Sequence, residues 1–294
     1  MSFSLVLNSS NVVAGSNNNT HRYNFIQGSF NVPENSELSI SSVVVPYSFY
    51  NISAVYGNNS FSLSYPVNAG YTTITITLPD GFYTISTLNS YIQQICITNG
   101  FYLVNSSGQY VYYITINPNA TYYANQFVFS KVPIALPTGW TNPGGLVLPT
   151  ASVSPYININ NSGFGTYIGF TNGYYPMGSA IGYSGVNSST SNNSNQTPVG
   201  SNVNSILLRC SIVNNRVGVM TDILDAFPIN ATFGSNITYN PPFQKWVKAT
   251  SGSYNNMIVQ FVDQNFNPII MNDNNILITI LIKKNLVYMY IAIK

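Results

Sequence analysis

Short stretches in which apolar and polar residues alternate run along most of the chain, a pattern typical of β-strands with one buried face. Residues 71–78 alternate Ile74, Ile76 and Leu78 with threonines, whereas residues 276–282 are almost continuously apolar. The first pattern predicts a half-buried strand, and the second predicts a strand buried on both faces. Further strands are predicted at residues 2–7, 22–26, 37–45, 61–65, 101–104, 110–116, 126–129, 205–213, 257–263 and 286–293.

The most apolar strand positions are expected to form the core. Residues 276–282 are predicted to be a central strand, so an aspartate at Leu277 would bury an unpaired charge and cost several kcal/mol. The other expected core positions are Val43, Val44, Val45, Ile74, Ile76, Leu207, Val259, Phe261 and Ile280.

One segment has helical rather than β periodicity. Thr84 or Ser86 can cap its N-terminus, and the pair Asn99-Gly100 is a typical helix end in which glycine adopts the left-handed conformation. The apolar residues that recur at helical spacing are Leu88, Tyr91, Ile92 and Ile95.

Residues 133–202 differ from the rest in being rich in Gly, Pro, Ser and Asn with scattered aromatics. They are predicted to be a long loop insertion, with 188–195 (SSTSNNSN) as an exposed, mobile tip. The remaining segments, 1–132 and 203–294, are predicted to form one all-β domain, a sandwich or jelly roll.

Charged residues make up only 5% of the chain, against roughly 25% in average soluble domains. This scarcity excludes a strongly basic nucleic-acid binder and a coiled coil, and it leaves little material for a hydrolytic site. The chain instead holds 23 Tyr and 16 Phe. Protein interfaces are depleted of charge and enriched in aromatic residues. One explanation of this composition is therefore that much of the surface of the chain is buried against other protein.

The few ionisable groups form no recognisable catalytic motif. The lone histidine, His21, is expected at the surface or in an interface. Asp222 and Asp225 can serve acid–base chemistry or hold Ca²⁺, but a role at the start of a short helix is favoured. Residues 263–268 are favoured as a hairpin turn stabilised by Asp and Asn side chains. No catalytic residue, cofactor or metal site is therefore predicted, and the chain is not expected to be an enzyme.

The two cysteines and the basic cluster near the C-terminus are also not expected to be catalytic. Cys96 and Cys210 are predicted to be buried free thiols, because Met1–Leu5 lacks the features of a secretory signal. No stretch of 18 apolar residues exists, so no membrane span is predicted. The basic cluster Lys283, Lys284 and Lys294 is either a solvated strand end or a weak contact with packaged DNA or neighbouring protein.

Two parts of the chain resemble a known family. An alternating strand leads through LPDGFYT (78–84) into the helix, which resembles a piece of small capsid proteins in the virophage and Polinton-like lineage of double-stranded DNA viruses. The C-terminal part resembles virophage penton (minor capsid) proteins and their giant-virus relatives through residues 205–211, 222–224, 239–242, 246, 261–264 and 273–282. The resemblance covers roughly residues 1–130 and 204–294.

The resemblance implies a single jelly roll of two four-stranded antiparallel sheets, with one short helix and the long loop insertion. It also implies a virion vertex protein that forms homopentamers beside the major capsid protein. Tyr167, Tyr174 and Tyr175 are the candidate subunit-interface residues within the insertion. A receptor- or carbohydrate-binding jelly roll, such as a fibre head or lectin, and another minor capsid protein remain alternative functions.

Overall fold

A computed structural model describes residues 2–176, 190–215 and 220–284 of the chain. It divides into two compact units. The first, the sandwich unit, combines Met1–Phe49 with Val203–Lys294, and the second, the inserted unit, comprises Tyr50–Asn202. In the sequence, the inserted unit thus lies between the two segments of the sandwich unit.

The elements follow one another in three segments. The first segment holds β1 (Ser2–Asn8), β2 (Thr20–Asn24), β3 (Phe30–Val32) and β4 (Ser36–Pro46). The inserted unit holds β5 (Ser60–Val67), β6 (Gly70–Thr77), α1 (Ile85–Thr98), β7 (Leu103–Val104), β8 (Tyr110–Val111), β9 (Ile114–Asn119), β10 (Ala124–Phe129), β11 (Tyr156–Ile159), α2 (Ser162–Ile168), β12 (Gly173–Tyr175) and β13 (Thr190–Asn193). The last segment holds β14 (Ser205–Cys210), β15 (Ile223–Pro228), β16 (Asn236–Tyr239), β17 (Val247–Lys248), β18 (Gly252–Tyr254), β19 (Asn256–Asp263) and β20 (Leu277–Lys284).

The sandwich unit has the strand order of a jelly roll. One antiparallel sheet has the order β1-β20-β4-β16, and the other has the order β2-β19-β14-β15. Among these eight strands, only β14 and β15 are consecutive within one sheet, and every other connection crosses to the opposite sheet. Such alternation is what wraps a chain into two Greek keys. The predicted all-β class and the two antiparallel sheets are confirmed. The β1-β20-β4-β16 sheet has a fifth strand, because β17 pairs with β4, and the described residues form two α-helices instead of the one predicted.

Alternating side chains of both sheets form the core of the sandwich unit. In β19, Met257, Val259 and Phe261 are fully buried, and the strand pairs β1–β2 and β4–β15 are in contact across the two sheets. Strand β20 is central, as predicted, but only one of its faces is buried. Ile278 and Ile280 are fully buried, whereas Leu277 is 43% exposed. The prediction that Leu277 is a core residue is wrong, because the side chains of a strand alternate between its two faces.

The inserted unit is built around two further antiparallel sheets, β12-β11-β5-β6 and β13-β10-β9. Their inward side chains share one hydrophobic core with α1, whose Leu88, Ile92 and Cys96 are buried in it. Thr84 caps α1 as predicted, in a reciprocal pair of hydrogen bonds with Thr87. No helix within the described ranges is long and apolar enough to cross a membrane.

The division into units differs from the predicted domains. The prediction placed residues 50–132 in the jelly roll and made 133–202 a loop insertion. In the structure β11 pairs with β5 and β13 pairs with β10, so strands from both ranges share sheets and one core. Within the predicted mobile tip, Thr190–Asn193 forms β13, and 188–189 lie outside the described residues. The predicted strand at 286–293 also lies outside them.

Candidate functional site

Two of the three candidate interface tyrosines lie in the core of the inserted unit. Tyr167, on α2, is 3% exposed, and its hydroxyl donates a hydrogen bond of 2.7 Å to the carbonyl oxygen of Tyr83. Tyr175, on β12, is also 3% exposed and packs edge-on against Phe170 with a ring separation of 4.9 Å. These two rings are buried within their own unit, so neither offers contact area to another subunit. Tyr174 is 38% exposed and stays a candidate contact residue.

The predicted basic cluster is partly neutralised within the sandwich unit. The Lys283 ammonium lies 3.2 Å from the Glu37 carboxylate and 3.9 Å from the ring centre of Trp246. An ion pair combined with a cation–π contact holds this cation in place. Lys284 is exposed, and Lys294 lies outside the described residues. Contact between Lys284 and DNA stays a prediction.

The outward side of the β1-β20-β4 sheet carries no charge over most of its extent. Its strands pair in register, with Val6 opposite Thr279 and Leu277 opposite Val44. The Glu37–Lys283 pair lies at one end. Among the strands that the structure describes, β1 lies at one edge of this sheet, and its seven residues include neither a charge nor a proline, two features that protect sheet edges from pairing with another chain. We call this region the outer sheet face and define it by Ser4, Val6, Val44, Leu277, Thr279 and Leu281.

Asp222 lies just before β15 and Asp225 lies within it, so neither carboxylate belongs to the predicted short helix, and each forms its own polar cluster. Asp222 forms an ion pair of 2.8 Å with Arg209 at the start of β15. Asp225, within β15 and 8% exposed, accepts hydrogen bonds from the Tyr239 hydroxyl at 2.9 Å and the Lys245 ammonium at 3.1 Å. Hydrogen bonding to the Asp225 carboxylate raises the pKa of Lys245. Since both carboxylates are held by cations, these contacts stabilise the sandwich unit.

The remaining predicted turn and both thiols are placed as expected. Asp263 accepts hydrogen bonds from the backbone N–H groups of Asn265 and Asn267, each 2.8 Å long, which fixes the predicted turn. Cys96 and Cys210 are free and buried, and burial raises the pKa of each thiol to about 12. Across the described ranges, no three His, Cys, Asp or Glu side chains cluster as a metal site.

The only histidine of the sequence is buried instead of lying at the surface. His21 is fully inaccessible on β2, and its ring packs edge-on against Phe261 at 5.7 Å. Neither ring nitrogen has a hydrogen-bond partner among the described residues. Burial lowers the pKa of His21 from 6.5 to about 4, so the ring is neutral at pH 7.

A cavity of about 380 Å³ opens in the inserted unit beside the start of α1. Aromatic and small apolar residues line most of it, including Tyr83, Tyr123 and Tyr167. Its polar lining includes Asn119 and Asn125. No charged side chain of the described residues lines the cavity. Sequence reasoning did not find it, because its walls come from four separate stretches between residues 82 and 200.

The fold of the chain is similar to two solved virophage structures. The mavirus penton protein shares 7% sequence identity with a TM-score of 0.44, over 96% of this chain and 98% of that one. A chain in the cryo-EM structure of the Sputnik virophage shares 14% identity with a TM-score of 0.39, over 96% of this chain and 97% of that one. No protein-family model and no curated protein matches the sequence.

Proposed function

We propose that this chain is a structural protein of a virion, a penton that closes the vertices of an icosahedral capsid as a homopentamer. The observation that carries the proposal is the strand order of the sandwich unit, in which eight strands wrap as a jelly roll. The inserted unit occupies the connection between β4 and β14. The resemblance of residues 205–282 to virophage penton proteins points to the same role.

The surface chemistry supports assembly with other protein. A ring of identical subunits joins two different faces of each copy, and such contacts must form without charge conflict. The outer sheet face meets this condition, because its six defining residues are apolar or carry only a hydroxyl group. We propose that it contacts a neighbouring copy through Val6 and Leu277, which are 47% and 43% exposed. The major capsid protein is the expected neighbour beyond the ring.

Sedimentation and negative-stain electron microscopy of the purified protein test this proposal. Rings of five copies are expected, and Leu277→Glu should dissociate them by placing a charge in the contact. Ile26→Glu is the matched control in the same unit, because Ile26 is 94% exposed and lies outside the outer sheet face. A stable trimer would contradict the penton role. Equal dissociation by both variants would contradict the proposed contact surface.

A further inference from the structure

The cavity of the inserted unit has the size and chemistry of a small-molecule site. Its volume of about 380 Å³ falls within the range of roughly 300–1,000 Å³ that is usual for ligand pockets. Such pockets combine apolar and aromatic walls with a few polar groups that fix the orientation of the ligand. Because no charged side chain of the described residues lines this cavity, its ligand is expected to be uncharged.

A buried amide supplies the orienting group. Asn125 is 4% exposed, and its Nδ2 donates a hydrogen bond of 2.9 Å to the carbonyl oxygen of Ile168. Its Oδ1 accepts no hydrogen bond from the described part of the chain. Asn119 is similar, since its Nδ2 donates to Asn193 at 3.1 Å while its own Oδ1 has no donor within the described ranges. An amide oxygen that has no donor from the described part of the chain can accept from a bound molecule, so a ligand that donates hydrogen bonds suits this cavity.

An exposed aromatic ring lies at the mouth of the cavity. Tyr123 is 76% exposed and adopts the left-handed backbone conformation, with φ and ψ both 49°. This conformation is uncommon for residues other than glycine and occurs preferentially at functional sites. Tyr122, next to it, is 69% exposed but does not line the cavity. Of these two adjacent tyrosines, therefore, only Tyr123 lines the cavity.

We propose that this cavity binds a neutral sugar ring of a glycan. A pyranose has an apolar face that can stack on a tyrosine ring, and its hydroxyl groups can donate to the free amide oxygen of Asn125. A phenylalanine ring of a protein partner would fill the apolar space but leave that oxygen without a donor, and the single O–H of a tyrosine could not match the several hydroxyl groups of a sugar. This inference is independent of the capsid role, since every residue it uses lies within the inserted unit.

Saturation-transfer NMR on the full chain tests the ligand class. The probes are glucose, galactose, mannose and N-acetylglucosamine at millimolar concentration, with sialic acid as a charged sugar and phenol as an aromatic compound without a sugar ring. Saturation transfer to at least one neutral sugar is expected, with none to sialic acid. Transfer to phenol alone, to sialic acid alone or to no probe would overturn the proposal.

Variants then locate the bound sugar. Tyr123→Ala removes the ring at the cavity mouth and should raise the Kd of the bound neutral sugar about tenfold. Tyr122→Ala removes an equally large exposed ring outside the cavity and should leave that Kd unchanged. Asn125→Ala, checked for folding by circular dichroism, should also weaken binding. Equal Kd values for the wild type and Tyr123→Ala, or equal losses in the two tyrosine variants, would overturn the assignment to this cavity.

Discussion

Replacement of His21 by leucine should remove an acid-sensitive contribution to the stability of the sandwich unit. The pKa of His21 is about 4 in the folded chain and 6.5 in the unfolded chain, so the unfolded state takes up its proton first as the pH falls. The folded protein therefore loses stability between pH 6.5 and pH 4. Linkage gives a loss of about 2 kcal/mol at pH 5 and about 3 kcal/mol at pH 4.

At neutral pH the leucine variant should be at least as stable as the wild type. Both nitrogens of His21 are buried without partners among the described residues, and leucine carries no polar atom that needs one. The difference in unfolding free energy between variant and wild type should then grow as the pH falls. Carboxylates that titrate over the same range are present in both proteins, so their contributions cancel in this difference.

The two tryptophans of the chain allow this measurement to be made on one unit. Trp246 belongs to the sandwich unit and Trp140 to the inserted unit. In a Trp140→Phe background, urea unfolding followed by tryptophan fluorescence reports on the sandwich unit alone. Wild-type and His21→Leu proteins are compared at several pH values from 7.5 to 4. Parallel stability curves across this range would refute the reasoning.

Three further predictions follow from the packing and the surface. Gly100 and Gly108 both have positive φ, but only at Gly100 would an added Cβ clash, with the carbonyl oxygen of Gly144. In urea unfolding, Gly108→Ala should therefore cost about 1 kcal/mol and Gly100→Ala about 3 kcal/mol, and equal costs would contradict the close approach. Leu277→Asp should lower the unfolding free energy by less than about 1 kcal/mol, whereas Ile278→Asp, at a fully buried position, should prevent folding as judged by circular dichroism. An assembly held by uncharged contacts should sediment unchanged in about 1 M salt, where the screening length is roughly 3 Å, and dissociation by salt alone would contradict that basis.

Local signals in the sequence predicted the elements whose structure depends on neighbouring residues. Helix α1 begins after Thr84, whose side chain satisfies a free N–H group of the first turn, and Gly100 follows its end with a φ of +71°. The turn at Asp263 forms for a similar reason, because its carboxylate bonds to N–H groups of the next few residues. The two partners of each such contact are only a few residues apart, so the contact can be predicted from the sequence alone.

Features that depend on distant residues were not predictable in the same way. An apolar run such as 276–282 does not show which face meets the core, so Leu277 could not be distinguished from Ile278. The burial of His21 depends on Phe261, 240 positions away in the sequence. Tyr167 did have a local signal, since Phe164, Tyr167 and Ile168 are spaced as one face of a helix. Because residues 133–202 are rich in glycine, this segment was nevertheless predicted to be a loop.

Cryo-electron microscopy of purified virions containing this chain tests the central claim most directly. The claim is that five copies close each vertex through their sandwich units. The expected result is density around the five-fold axes into which five copies of the sandwich unit fit, each with its eight strands as a jelly roll. The inserted unit of each copy should fit into further density of its own. Density for the chain only at three-fold positions, or its absence from the capsid shell, would contradict the account.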